Sequence, residues 1–391
     1  MPPIPELRAP ITTPAAAAVF TTVLTAGPVS RVEIARRTGL SSAAVTRTAR
    51  PIIEAGYLEE LAAEERTAPG AGRPASPLTV RADREFFIGV KVTNEDLIGV
   101  VCDLRAETRA SRHHVLTDRT VDGVVTALAE LVEELLSESD DYRERTHCLG
   151  VAVSGDVDRA SGGVRYSPFL GWRDVPLARL LTEATGLVTT LENDVKALTV
   201  AEQWFGEGVG ASSFALVTVG TGIGCALVVN GGLVAGAYNV AGELGHVRVA
   251  EPGPACHCGG SGCIEALAST EAILAHARGA CGDPELSMDE AVERARAGEE
   301  AVRHAFDRAG HAIGLGLAAV ANLIGPERIV VSGEGLAAYD LLEPQIRESF
   351  AQQAFGAAAR CALIIRPLPF EEWARGAAAV ALQTMFTAES I

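Results

Sequence analysis

Residues Val219 to Ser269 read VGTGIGCALVVNGGLVAGAYNVAGELGHVRVAEPGPACHCGGSGCIEALAS. The stretch closes one apolar run, Phe214 to Val219, turns through Gly220-Thr221-Gly222 and opens a second run, Ile223 to Val229, a pattern of two strands joined by a glycine turn. Further along, His246 is followed by Cys256, Cys258 and Cys263. Three thiolates and one imidazole complete a tetrahedral donor set, and Gly259, Gly260 and Gly262 let the backbone fold tightly round a metal, for which zinc is the natural occupant. Disulfides are the rival reading, and they need an oxidising compartment. The Ala/Val/Leu-rich segment from Thr13 to Val29 lacks the basic flank of a signal peptide, so the expectation is a soluble, cytoplasmic protein with reduced thiols. His257 lies between two ligands, an awkward place from which to compete for the metal. Cys102, Cys148, Cys225, Cys281 and Cys361 are isolated and read as core residues.

Outward from this stretch the chain alternates strands and helices. Strands are expected at Phe86 to Val92, Leu97 to Asp103, Cys148 to Val153, Ile329 to Val331 and Ala362 to Ile365, and helices at Val121 to Ser137, Val195 to Phe205, Ala301 to Leu323 and Glu371 to Met385. Such alternation gives an α/β architecture, and the glycine-bearing strand pairs around Gly89 and Gly220 suggest two similar lobes facing a cleft. With 391 residues, 48% of them hydrophobic and 21% charged, the composition excludes fibrous and disordered classes, and no apolar run reaches the roughly 18 residues of a membrane span.

The net charge of −17 is unevenly spread: residues 1 to 85 carry +1 and the remainder −18. Between Arg31 and Arg50 stand five arginines (31, 36, 37, 47 and 50) against Glu33 alone, either a phosphate-attracting face or a plain solvated one. Ala17, Phe20, Val23 and Leu24 mark a first helix stopped by Gly27 and Pro28. Ser30 can cap a second helix to Arg37, with Val32, Ile34 and Ala35 inward, Gly39 makes a turn, and Ser41 can cap a third. This third helix turns Val45 inward and leaves Ser42, Ala43, Thr46, Arg47 and Arg50 outward, as a DNA-recognition helix would. Pro51 is expected to kink or end it, and Tyr57-Leu58 then leads into an extended segment, giving a winged helix-turn-helix. Gly72-Arg73-Pro74 is either a wing tip that slides Arg73 into a minor groove or part of a linker.

Together with LENDVKAL, Leu191 to Leu198, the stretch Val219 to Ser269 resembles the signature motifs of the ROK family of repressors and sugar kinases, a likeness extending from about Phe86 to Met385. The resemblance implies an actin-like, ribonuclease-H-like two-lobed fold with zinc near the hinge. The implied domains are 1–82 for DNA binding, 83–193 with 371–391 for the small lobe, and 194–370 for the large lobe. It also implies sugar-binding roles for Asn193, Asp194, Glu243, His246 and Glu265, groups whose carboxylates, amide and imidazole suit vicinal hydroxyls. Phe169 stands where family members commonly have a sugar-contacting Asn.

In the family's kinases the residue matching Asp194 is the general base, and a first-strand Asp followed by Gly-Gly-Thr-Lys serves magnesium and ATP. Here that run is IGVKVTNEDL, Ile88 to Leu97, with Lys91 replacing the Asp and side chains replacing the glycines. The expectation is therefore a non-enzymatic, sugar-responsive repressor, acting on operator DNA as a homodimer or homotetramer. A kinase with an appended DNA-binding domain is the alternative.

Overall fold

A computed structural model describes residues 10–62 and 76–385; the expected wing tip, Arg73 included, lies outside them. In chain order come α1 (Pro14–Ala26), α2 (Arg31–Thr38), α3 (Ser42–Glu54), β1 (Leu58–Glu60), β2 (Leu78–Val80), β3 (Phe86–Val92), β4 (Asp96–Asp103), β5 (Thr108–Val115), α4 (Val121–Ser137), α5 (Asp140–Arg145), β6 (Thr146–Val153), β7 (Asp156–Asp158), β8 (Gly163–Ser167), β9 (Trp172–Val175), α6 (Leu177–Thr185), β10 (Val188–Asn193) and α7 (Asp194–Phe205). Then follow β11 (Phe214–Val219), β12 (Ile223–Val229), β13 (Gly232–Leu233), α8 (Ile264–Ala268), α9 (Thr270–Cys281), α10 (Met288–Arg296), α11 (Glu300–Ile324), β14 (Arg328–Ser332), α12 (Tyr339–Gln353), β15 (Ala362–Ile365) and α13 (Glu371–Leu382). Among the described residues, no helix is long and apolar enough to cross a membrane.

The chain divides into two compact units, residues 1–209 with 373–391, and residues 210–372. The boundary thus falls after α7, not at residue 193. Asn193 caps α7 from the preceding strand, accepting from the N–H groups of Val195 and Lys196, and Gly376 lets α13 lie directly against the backbone of Ala197 and Leu198.

In the first unit the strand order is β10-β6-β3-β4-β5, with β10, β6 and β3 parallel and β4 and β5 antiparallel. Every residue of β3 is buried because both sheet faces are covered. One face packs Ile88, Val90, Leu149 and Val151 against Leu128, Leu131 and Leu135 of α4. On the other face Phe87, Val100 and Leu104 meet Ala378 and Leu382 of α13, in one core with Phe20, Val23, Tyr57 and Leu78 of the N-terminal segment. The N-terminal helices are therefore not a separate compact body.

Ser30 and Ser41 cap α2 and α3, accepting from Glu33 and Ala44, and Gly39 takes the left-handed turn. β1 and β2 pair antiparallel, with Val29 bridging to Leu78. One expectation fails and one is narrowed. Val32 is exposed, because the short α2 turns only Ile34 fully inward. Pro51 does not end α3: Val45, Ala49 and Ile52, spaced along one face, are buried on both sides of the proline and hold the helix to Glu54. β5 was not expected from its polar sequence TRASRHHV; it is an edge strand held by its ladder to β4.

In the second unit the order β13-β12-β11-β14-β15 repeats the pattern of the first, an antiparallel meander extended by two parallel strands on the far side of its first strand. Its core joins Ala215, Val217 and Val331 to the buried face of α11 and to Leu342 and Ile346 of α12. Of the isolated cysteines, Cys102 and Cys225 are buried, and Cys148, Cys281 and Cys361 sit half-buried at core edges.

Close packing of α13 on the sheet gives a direct test. A Cβ at Gly89 would collide with the backbone of Ala374 and Ala378, whereas one at Gly279 of α9 meets nothing within 4 Å. Gly89→Ala should lower the melting temperature markedly, and Gly279→Ala should leave it unchanged or raise it by gaining roughly 0.5–1 kcal/mol of helix propensity.

Candidate functional site

On α3, Ser42, Ala43, Thr46, Arg47 and Arg50 are all exposed on the face opposite Val45 and Ala49. The basic face is less free than its composition suggested. Arg31 pairs with Glu60, Arg36 and Arg37 both with Glu33, and Arg50 with Glu54, while Arg47 makes no ion pair among the described residues. The two arginines hold the Glu33 carboxyl down at about 2. Exposed pairs of this kind are weak and screened by solvent, so they hold these arginines only loosely.

The second cluster lies in the first unit, where β6, β10 and the start of α7 come together. Asn193 donates to Gly155 O at 3.1 Å and caps α7. Asp194 is buried. Its Oδ1 accepts from Val195 N at 2.9 Å, and its Oδ2 accepts from Ser154 Oγ at 2.5 Å and from the ammonium of Lys91. Lys91, also buried, donates to Ser154 Oγ at 3.1 Å and lies 5.3 Å from the ring centre of Trp373. Burial works to raise the Asp194 carboxyl, but the Lys91 charge and the hydrogen bonds from Lys91, Ser154 and Val195 prevail and hold it below the usual range. Sequence reasoning noted Lys91 as a replacement and missed that its ammonium lands on Asp194; Ser154 and Trp373 gave no signal of their own. Phe169 is partly exposed in the turn between β8 and β9.

The third cluster lies in the second unit. His246, Cys256, Cys258 and Cys263 present four ligand atoms within 4.8 Å of one another. Cys258 Sγ and Cys263 Sγ are 3.8 Å apart, and Cys256 Sγ and His246 Nδ1 are 3.6 Å apart. A tetrahedron with Zn–S bonds of about 2.3 Å and Zn–N bonds of about 2.0–2.1 Å has edges of about 3.8 and 3.6 Å, so the donor set fits such an ion. The knuckle depends on Gly262, whose φ of +69° and contact with Ala250 O leave no room for a Cβ. His257 belongs to a second group, with His246 and Glu265, whose ligand atoms also lie within 4.8 Å of one another: its Nδ1 lies 3.0 Å from Glu265 Oε1, while Glu265 Oε2 accepts from Ile223 N at 3.0 Å. Glu243 is exposed, with Oε2 3.9 Å from His246 Nε2, and the rings of His246 and His257 meet edge to face at 5.1 Å. Glu243, His246 and Glu265 thus lie near one another, joined by His257, whose part in this group the sequence did not reveal.

Two units of one strand order, the second bearing a His/Cys cluster beside acidic side chains, define an α/β protein of the sugar-kinase-like class. The model of the ROK family matches residues 87–384, and the chain belongs to that family. It is 28% identical over 349 residues to the DNA-binding transcriptional dual regulator NagC of Escherichia coli K12, covering 87% of this chain and 85% of that protein. Among solved structures it is similar to a ROK family transcriptional regulator, a homologue of the E. coli Mlc protein, at 25% identity over 95% of each chain and a TM-score of 0.79. It is also similar to a ROK glucokinase from Streptomyces griseus solved with glucose and AMPPNP, at 28% identity over 76% of this chain and 99% of that one, with a TM-score of 0.67.

Removing one member of a buried ion pair strands the other, typically at a cost of about 3–5 kcal/mol. Lys91→Met should destabilise the protein on that scale in urea unfolding, and Lys91→Met/Asp194→Asn should recover much of the loss; equal losses would contradict the pairing. Because the native pair lowers the Asp194 carboxyl, its contribution is present above the ordinary carboxylate range and fades as pH falls through the lowered value. The stability gap between wild type and Asp194→Asn should accordingly narrow on acidification.

Proposed function

We propose that this protein is a sugar-responsive transcriptional repressor: a winged helix-turn-helix that binds operator DNA, joined to a sugar-kinase-like effector domain that does not catalyse phosphoryl transfer. The observation that carries this reading is the Lys91–Asp194 pair. A general base must be free to accept a proton from the substrate hydroxyl, and here the matching carboxylate already holds an ammonium and a serine hydroxyl. The likeness over most of its length to a DNA-binding regulator supports the same reading.

On this reading α3 is the recognition helix, with Ser42 and Ala43 allowing close approach and Thr46, Arg47 and Arg50 reaching bases and phosphates. Asn193 and Asp194 in the first unit and Glu243, His246 and Glu265 in the second are the residues we assign to sugar hydroxyls. His246, Cys256, Cys258 and Cys263 would hold a structural zinc, which fixes the His246 ring and leaves its other nitrogen available for a hydrogen bond. The protein acts as a homodimer or homotetramer.

A route from ligand to DNA is built into the first unit. Helix α7 begins at Asp194 and ends at Trp204-Phe205, which pack on the core shared with α1 and α3. A sugar alters DNA affinity to the extent that it binds one arrangement of this unit better than another.

Arg47→Ala should abolish operator binding in a gel shift while zinc content and melting behaviour survive; unchanged affinity would defeat the assignment of α3. In thermal unfolding of zinc-loaded protein, a sugar or sugar derivative should raise the midpoint and Mg-ATP should not. ATP consumption with any sugar would establish the kinase reading instead.

A further inference from the structure

The Gly220-Thr221-Gly222 turn between β11 and β12 presents the Thr221 N–H and hydroxyl beside a glycine, donors of the kind that a phosphate oxygen accepts from. In the structure it is already taken. Thr221 N–H donates to Glu334 Oε1 at 2.8 Å, and Thr221 Oγ lies 3.2 Å from the same oxygen. The carboxyl group lies over Gly220, filling the space a Cβ there would need. Glu334 is brought to this position by its neighbours in Ser332-Gly333-Glu334-Gly335. Gly333 has a φ of +107°, and both Gly333 and Gly335 lie so close to the Val219 backbone that side chains would be excluded. The two glycines seat the segment after β14 on the end of β11, and the glutamate between them reaches over the turn.

We propose that Glu334 is an internal phosphate mimic: its carboxylate occupies the anion site of the Gly220 turn and excludes phosphate groups from it. The inference rests on, and deepens, the reading of the effector domain as non-catalytic. A carboxylate satisfies the same N–H and hydroxyl donors that a phosphate oxygen would, and its charge repels a second anion. The turn thereby keeps its shape with no nucleotide, and the response of the protein to its ligand is insulated from ATP. The ligand class of the opened site is a phosphate group, whether free or carried by a nucleotide.

The test is calorimetric titration of the full-length, zinc-loaded protein with inorganic phosphate and, separately, ADP. Wild type should be silent to both at low millimolar concentration. Glu334→Gly should bind at least one of them with an affinity at least tenfold above the wild-type limit; binding of both marks a general phosphate site, and of ADP alone a nucleotide site. Glu334→Ala serves the same purpose should the glycine variant not melt cooperatively. Gly220→Ala added to the opening variant puts a methyl into the vacated space and should abolish the gain. The proposal is overturned if neither opening variant gains affinity, or if the gain survives Gly220→Ala. Silent opening variants beside a silent wild type remove this inference alone. Wild-type ADP binding overturns it too, and accompanied by sugar phosphorylation removes the non-catalytic reading as well.

Discussion

A carboxylate can be buried only if something neutralises it, and in the first unit the ammonium of Lys91 does so for Asp194. The pair gathers groups from separate elements: Lys91 from β3, Ser154 just beyond β6, Asp194 from the start of α7 and Trp373 from α13. Satisfying one charge thus sets where a strand, a turn and two helices meet. On the reading proposed above, the same contact occupies the carboxylate that a phosphotransferase of this architecture would need free.

Much of this was legible in the residues because local chemistry decides it. Serines at positions 30 and 41 cap helices since their hydroxyls meet otherwise unsatisfied N–H groups, and the closely spaced Cys and glycine residues let the backbone turn tightly enough to gather four donors. The repeated strand order was foreshadowed by the glycine-bearing strand pairs around Gly89 and Gly220. What escaped was what depends on distant neighbours. Polar β5 is a strand only because β4 offers it a ladder, α3 passes Pro51 only because Ile52 beyond it is buried, and α7 belongs to the first unit because α13 lies on its backbone. Lys91 looked like a departure from a pattern. Its role, and that of Glu334, needed the third dimension, which showed each seated on a partner far away in sequence.

The electrostatics are also arranged differently from the sequence tally. Most of these arginines are already paired with glutamates, so the face is less strongly positive than its arginine count suggests, with Arg47 the exception among the described residues. Weak, solvent-exposed pairs give up their partners easily, whereas the strongly negative remainder of the chain repels nucleic acid. On the proposed reading, attraction to DNA is thereby confined to one short helix and its surroundings.

The core that unites α1, α3 and β2 with β3 and β4 also takes in Ala374, Ala378, Ala381 and Leu382 of α13. During synthesis the ribosome must translate the whole second unit before these residues exist. The N-terminal helices therefore wait for their final packing until α13 emerges, and a nascent chain that has made α3 still lacks part of the core that this helix joins. Order of translation thus delays the completed first unit until the second has been made.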